Sequence, residues 1–349
     1  GMPTKLLGLS RSRLLTWSGK LRAATEPLRR RTSLDTDSIG AFVRARFGNE
    51  VHFRLVDPLI GSIYAADTDY FSLAAVPQVA DLAHRSRSVL LAARHRGAPP
   101  IGPVFYAPSN GMTAMVDAGS AAIRSAGGSI LTARPVGSIA PDGAGWRVDS
   151  DHADAVIMCC PAAVTARLIA PFAPEPAVAL AAIPTADVAL LTITVAASEW
   201  PERLLGRSGY LVPKPRQRLV TAVSFGSQKW AHWQVDGKVV LRISLGRDGL
   251  PVLHLDDDQL LAAAVADTSR QLGFQVRPID VRISRFPGAF PQYRPHHADR
   301  VTAAEAMLPT GLELAGASFH GIGIPACVRS ATGAAARVSE YFDRLAHLA

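Results

Sequence analysis

The chain has 349 residues, 48% of them hydrophobic, which suits two or three packed cores and excludes a small module held together by cross-links. Its formal charge of +8, carried mostly by arginine, leaves nucleic acid, an anionic membrane surface or an acidic substrate as partners, beside the ordinary alternative of a solvated basic face. The basic clusters at 29–31 and 85–96 carry no interleaved aromatics, which argues against nucleic acid. Three cysteines, two of them adjacent (Cys159 and Cys160), build no disulfide framework, the apolar stretch 177–197 is broken by Pro184 and Asp187, and no signal-peptide pattern opens the chain. A cytoplasmic protein is expected.

Residues 1–100 read as mainly helical. Asp37 or Ser38 caps a helix through Phe42, Val43 and Phe47, with Gly48 as its stop. A second helix is expected over 76–96, ended by Gly97 and the proline-rich run 98–103. From Gly111 the pattern becomes α/β: a helix over 115–126, a strand near 129–132, a hairpin turning at Asp142-Gly143, a buried strand over 155–158, and a helix opened by Cys160-Pro161-Ala162. Between 185 and 290 strands dominate, at 188–195, 210–212, 219–225, 239–245 and 281–286. One helix interrupts them, capped within 256–258 and stopped at Gly273. The short connections imply an antiparallel sheet. The fold class is thus α/β plus α+β: an antiparallel-sheet domain inserted into a Rossmann-like one, beside a helical domain.

The run 311–336, GLELAGASFHGIGIPACVRSATGAAA, carries the chemistry. Leu312 and Leu314 give a short strand, Gly316, Gly321 and Gly323 strip side chains from a turn, and Pro325 suits the first turn of a helix. Val328, Ala331, Ala335 and Val338 then recur at helical spacing. Free N–H groups and the positive end of the helix dipole would face whatever fills the turn, so an anionic or electron-accepting ligand is the expected guest. Gly321, Gly323 and Ala326 also satisfy G-x-G-x-x-A. That fingerprint belongs at the head of a strand–helix–strand unit with an acidic residue about twenty positions on, and the 22 residues after Cys327 hold one helix and no second strand.

Several segments, in order along the chain, resemble the oxygen-dependent protoporphyrinogen or coproporphyrinogen oxidases of haem biosynthesis, flavoenzymes of the monoamine-oxidase-like fold. They are Arg46-Phe47-Gly48, VDPLIGSIYAADTDYFSL over 56–73, Tyr210-Leu211-Val212-Pro213, Ala289-Phe290-Pro291-Gln292-Tyr293, and LAGASFHGIGIPAC over 314–327. The resemblance implies a helical domain over 1–100 facing substrate or membrane, a partial FAD-binding domain over 101–168 and 300–349, and a substrate-binding sheet over 169–299. It implies FAD as cofactor, contacted by Val136 at the adenine and by Gly316, Ala317, Ile322, Gly323, Ile324 and Pro325 at the flavin ring. It implies a tetrapyrrole substrate against Gly209, Leu211 and Ser244, and a porphyrinogen-to-porphyrin oxidation with O2 as acceptor. Where the family carries an aspartate before the cysteine this chain has Ala326, which removes a potential helix cap and bears on flavin affinity.

The family's strand–GxGxxG–helix, which grips the FAD pyrophosphate, is absent from these residues. The chain is therefore expected to be a carboxyl-terminal fragment or truncated product, weak in FAD binding and inactive alone. A rival of another class is a tetrapyrrole-binding protein without cofactor; a third is another amine-oxidase-like flavoenzyme. Arg85, Arg87, Arg94 and Arg247 are candidates for a substrate carboxylate, against the plainer reading of surface charge. No catalytic residue is assigned and no metal is expected: His296, His297 and His320 lack a ligand spacing, the first two in a polar loop after Pro295. Cys159 and Cys160 read as packing residues, Cys327 as a small filler beside the flavin, and Asp57 before Pro58 as a cap or turn residue. A peripheral contact with the inner face of the membrane and a homodimer complete the expectations, and the choice between protoporphyrinogen and coproporphyrinogen stays open.

Overall fold

A computed structural model describes residues 14–29, 33, 35–95 and 105–348. The expected stop at Gly97, the linker 98–103, Arg30, Arg31 and Arg96, and the side chain of Arg94 lie outside the described residues. The fold is mixed α/β, built on three main apolar clusters.

The first cluster lies among helices α1 (Trp17–Ala24), α2 (Ile39–Phe47), α3 (Asp57–Tyr64), α4 (Pro77–Arg85) and α5 (Val89–His95). Ile39, Phe42, Val43, Ile60, Phe71 and Leu73 fill it. Ser38 caps α2, its hydroxyl accepting from the Ala41 N–H at 3.2 Å, and Gly48 stops it at φ +91°. The single helix expected over 76–96 is two, because the buried Glu26 carboxylate caps a new N-terminus: it accepts from the Ser88 hydroxyl at 2.5 Å, the Val89 N–H at 3.0 Å and the Leu90 N–H at 3.3 Å, and also from Arg46.

The second cluster backs a five-stranded antiparallel sheet of order β6-β7-β8-β5-β9, comprising β5 (Thr185–Ala196), β6 (Gly209–Leu211), β7 (Val220–Phe225), β8 (Lys238–Leu245) and β9 (Asp280–Pro291). Every strand expected between 185 and 290 is present. Leu191, Ile193, Val223, Phe225, Leu241 and Ile243 alternate onto one face, which α9 (Asp257–Leu272) covers with Leu260 and Ala264. That helix starts at an Asp256–Gln259 capping box and ends on Gly273 at φ +72°.

The third cluster joins both ends of the chain's second half. Strand β4 (Val156–Met158) pairs in parallel with β10 (Leu312–Leu314) across more than 150 residues of sequence, and the meander β1 (Ile139–Asp142), β2 (Gly145–Val148), β3 (Asp151–Ala153) lies beside it. Helices α7 (Ala162–Ile169), α8 (Pro174–Ala181), α10 (His297–Ala306) and α11 (Ile324–Leu348) complete the set. Trp146, Met158, Ile169, Leu180, Val301 and Phe319 form its core. Helix α6 (Thr113–Ser125) precedes these elements and buries none of its residues.

Four expectations need correction. Residues 129–132 form no strand, and they pair with none of the three described sheets. The loop assigned to His296-His297 is instead the start of α10, with His297 3% exposed. On α11 the buried stripe is Ser330 and Ala334, whereas Val328 is 58% exposed and Ala331 and Ala335 also face outward: the helix is as expected, rotated from the stripe read in the sequence. Cys159 is exposed, not packed, while Cys160 is half-buried with Sγ 3.2 Å from Thr165 Oγ1.

Candidate functional site

The turn between β10 and α11 is held from three sides. From α11, the Ser330 hydroxyl accepts from the Gly316 N–H at 3.0 Å; from the start of α7, the Ala162 N–H donates to Ser318 Oγ at 3.1 Å. From the segment after β9, the Tyr293 hydroxyl donates to the Ala317 carbonyl at 2.7 Å and accepts from the Gly321 N–H at 2.7 Å. His297 lies flat on the Tyr293 ring, 3.7 Å between centroids and 10° between planes, with Nε2 3.1 Å from the Phe319 carbonyl. A carbonyl only accepts, so Nε2 carries the proton. Burial lowers the His297 pKa to about 4, with Phe319 opposing it, and burial pushes the Tyr293 phenol up. Both rings are neutral at physiological pH.

Glycine is required at the corners. Gly316, Gly321 and Gly323 have φ of +103°, +117° and +106°, where an L side chain is strained. A Cβ on Gly321 would come within 2.9 Å of the Ala326 Cβ, whereas a Cβ on Gly323 meets nothing within 4 Å, so backbone there borders open space. The N–H groups of Ile322, Gly323 and Ile324 have no acceptor among the described residues. They sit at the positive end of a 25-residue helix.

Beside the turn lies a cavity of about 500 Å³, walled by Tyr64, Ser72, Tyr293, His297, Gly321, Ile322, Pro325 and Arg329 among others. That volume is in the range of small-molecule sites, roughly 300–1,000 Å³. His320 also lines it, pinned by Glu305 Oε1 at 2.6 Å from Nε2. A smaller hollow of about 220 Å³ runs along α11 near Glu313 and Arg337, which close on each other at 2.6 Å. It lies away from the glycine turn.

Residues expected at the substrate form a separate group. Strand register places Leu211, Ala222, Ser244, Leu190 and Ser284 in one row across the sheet, and Gly209, Ser224, Arg242, Thr192 and Arg282 in the next. Partners directly opposite share a face, so Gly209, Leu211 and Ser244 all lie on the face turned away from α9. This face is floored mostly by small half-buried side chains. Two exposed arginines, Arg242 and Arg282, flank Thr192 on it, about 10 Å apart at two strand spacings. Neither has an ion-pair partner among the described residues.

Arg247, expected as a possible carboxylate ligand, is 4% exposed and bound at both nitrogens to Asp57, 2.9 Å each. Burial pushes the Asp57 carboxyl up, but hydrogen bonds from Arg247 and Thr68 hold it below the usual carboxylate range. Asp57 thus caps no helix; it is half of a tie between α3 and the end of β8. Arg85 and Arg87 are exposed and line neither cavity nor sheet face. Val136 is 38% exposed in an irregular segment outside the cavity wall. Sequence reading gave Tyr293 no role beyond its place in a family-like segment, set His297 aside as a loop histidine and did not reach Arg329; the one available signal was the glycine turn's need for something to hold it.

Over residues 2–339 the chain matches the model of the flavin containing amine oxidoreductases. It belongs to that family. Among curated proteins, the coproporphyrinogen III oxidase of Mycobacterium tuberculosis is 36% identical over 315 residues, covering 88% of this chain and 67% of its own. The protoporphyrinogen oxidase of Bos taurus is 26% identical over 373 residues, covering 97% of this chain and 76% of its own. A solved structure, a provisionally assigned protoporphyrinogen oxidase from Exiguobacterium sp. 255-15, superposes with a TM-score of 0.82 at 26% identity, over 98% of this chain and 76% of that one. The chain thus spans about two thirds of the mycobacterial relative's length.

Membership of this amine oxidoreductase family implies a flavin, and the residues present fit one. Unsatisfied N–H groups at the head of α11, side-chain-free backbone at Gly323 and an adjoining cavity with aromatic walls suit a flat heterocycle that gains negative charge when reduced.

Proposed function

We propose that this chain takes part in FAD-dependent oxidation of a porphyrinogen, coproporphyrinogen III or protoporphyrinogen IX, to the porphyrin, with O2 as the terminal acceptor. The observation that carries the reading is the 36% identity to a coproporphyrinogen III oxidase across 88% of the chain, together with a glycine turn that has free N–H groups and a cavity beside it, lined by Gly321 and Ile322. In this reading Gly316, Ala317, Ile322, Gly323, Ile324 and Pro325 meet the flavin ring and Val136 the adenine. The chain divides into a helical domain (1–100), a flavin-binding domain (101–168 and 300–349) and a substrate-binding sheet (169–299). The flavin, when bound, supplies the two-electron oxidant.

The chain's own residues supply orientation and charge complementarity. The small-residue face of the sheet offers a flat macrocycle a platform at Gly209, Leu211 and Ser244, and Arg242 and Arg282 offer unpaired cations to carboxylates on its rim. Coproporphyrinogen carries four such carboxylates and protoporphyrinogen two, so the arginine pair serves either, and the 36% identity to a coproporphyrinogen III oxidase favours coproporphyrinogen. The test is air oxidation of each porphyrinogen followed by porphyrin fluorescence, with FAD present and the family's strand–GxGxxG–helix segment supplied ahead of the chain in one polypeptide. Arg282→Ala and Arg242→Ala are expected to raise KM for coproporphyrinogen about tenfold each, the size of one charge-assisted hydrogen bond, and to change kcat little. Equal KM for wild type and both variants would remove the arginines from the site. If that joined protein is colourless and binds porphyrin without producing it, a carrier replaces the enzyme reading.

A further inference from the structure

We propose that Tyr293 and His297 are positioning residues that lock the 316–323 turn into its ligand-receiving shape: one phenol clamps the turn's two ends, and the imidazole stacked on it holds the turn's middle. The inference rests on the flavin reading only for what the turn receives; the clamp itself is argued from contacts alone.

The Tyr293 hydroxyl is fully used, donating to the Ala317 carbonyl and accepting from the Gly321 N–H, both at 2.7 Å. These two residues lie on either side of the Ser318-Phe319-His320 bend, so one oxygen spans the turn. His297 donates from Nε2 to the carbonyl of Phe319, between them, at 3.1 Å. Other contacts hold the turn's first half, from Ser330 to Gly316 and from Ala162 to Ser318, whereas Gly323, Ile324 and Pro325 beyond the clamp are exposed and the glycines at 321 and 323 supply no packing.

The clamp is itself held rigidly. Tyr293 is 5% exposed and stacks on His297 at 3.7 Å; Phe71 lies nearly parallel to it at 6.2 Å, and Tyr64 neighbours Phe71 at 5.1 Å between centroids. The Ser72 N–H donates to the Tyr293 carbonyl at 2.7 Å. An aromatic column therefore runs from the helical core to the glycine turn, and the cavity opens along it, with Tyr64, Tyr293 and His297 in its wall. Neutral rings suit this role, since burial disfavours a charged imidazole stacked on the phenol and the charge of nearby Arg300 disfavours it further.

Two readouts test the clamp without relying on catalysis. Cys327 lies in the first turn of α11 with its thiol 3.9 Å from the Gly321 carbonyl, so its alkylation rate reports whether the turn is in place. In Tyr293→Phe, which deletes only the hydroxyl, peptide-resolved iodoacetamide labelling of Cys327, normalised to the denatured chain, is expected to quicken about tenfold, and hydrogen exchange at Gly321 by a similar factor. His297→Leu should behave likewise and His297→Gln, whose amide also donates, should restore the wild-type rate. FAD affinity, followed by flavin fluorescence, should weaken in Tyr293→Phe and His297→Leu and recover in His297→Gln. Unchanged Cys327 and Gly321 rates in Tyr293→Phe would overturn the clamp, whether or not the protein oxidises porphyrinogens. Altered rates, with no porphyrinogen oxidation even by the chain joined to the family's strand–GxGxxG–helix segment, would overturn the enzyme reading and leave the clamp standing.

Discussion

His297 shows how one buried ring makes stability depend on pH. Its folded pKa of about 4 lies below the ordinary 6.5, so between those values the unfolded chain binds a proton that the folded chain refuses. The stabilisation is whole above pH 6.5 and is lost as pH falls toward 4, by roughly 3 kcal/mol in all. Denaturant titrations of wild type and His297→Gln at pH 7 and pH 4.5 are expected to show the wild type losing more stability than the variant. His52, buried with its pKa lowered chiefly by burial, adds a loss of the same sign, which is why the comparison needs the variant. Asp57 acts lower on the scale: its depressed pKa gives stability that is present above the usual carboxylate range and disappears as pH falls through its folded value. Removing its partner has a larger effect. Arg247→Ala leaves Asp57 buried without its cation and is expected to cost about 3–5 kcal/mol, visible as a fall in Tm.

At the scale of elements, the glycine turn separates strain from function. Gly323→Ala adds a methyl where nothing is touched, so its cost to folding is the left-handed backbone alone, about 1–2 kcal/mol. If a flavin lies against that backbone, FAD affinity should fall much further than stability does; parallel loss of both would place the ligand elsewhere. The cap of α9 offers a contrast far from any site. Asp256→Ala removes one half of a reciprocal capping box and is expected to lower stability by about 1 kcal/mol with no effect on flavin or substrate. The division of the expected helix over 76–96 into α4 and α5 follows from the same physics, because a buried carboxylate from residue 26 accepts from the orphan N–H groups at Val89 and Leu90.

Across the whole molecule, packing is uneven. The antiparallel sheet and its cover helix hold seventeen buried apolar residues in one cluster, whereas α6 buries none, and Phe105 and Tyr106 are 73% and 83% exposed. Local stability follows buried contacts, so limited proteolysis is expected to cut first within 105–138 and to leave β5 to β9 intact. Among the described residues no helix is long and apolar enough to cross a membrane.

Sequence alone determined the elements whose signals are local. Alternation of apolar residues along 188–195 and 239–245, the Asp-Gly hairpin at 142–143, the capped helix ending at Gly273, and the glycine-proline turn before α11 all depend on neighbours within a few positions, and each is where its residues place it. The likeness of ordered segments to a flavoenzyme family was legible for the same reason. Only the tertiary structure decided what residues far apart in the chain do to each other. A strand at 129–132 needs an edge to pair with; the exposed or buried side of α11 depends on what packs against it; the partner of Arg247 lies 190 residues away. Tyr293 and His297 gave no sign of their part, because it exists only once the chain has carried both rings to a turn more than twenty residues further on.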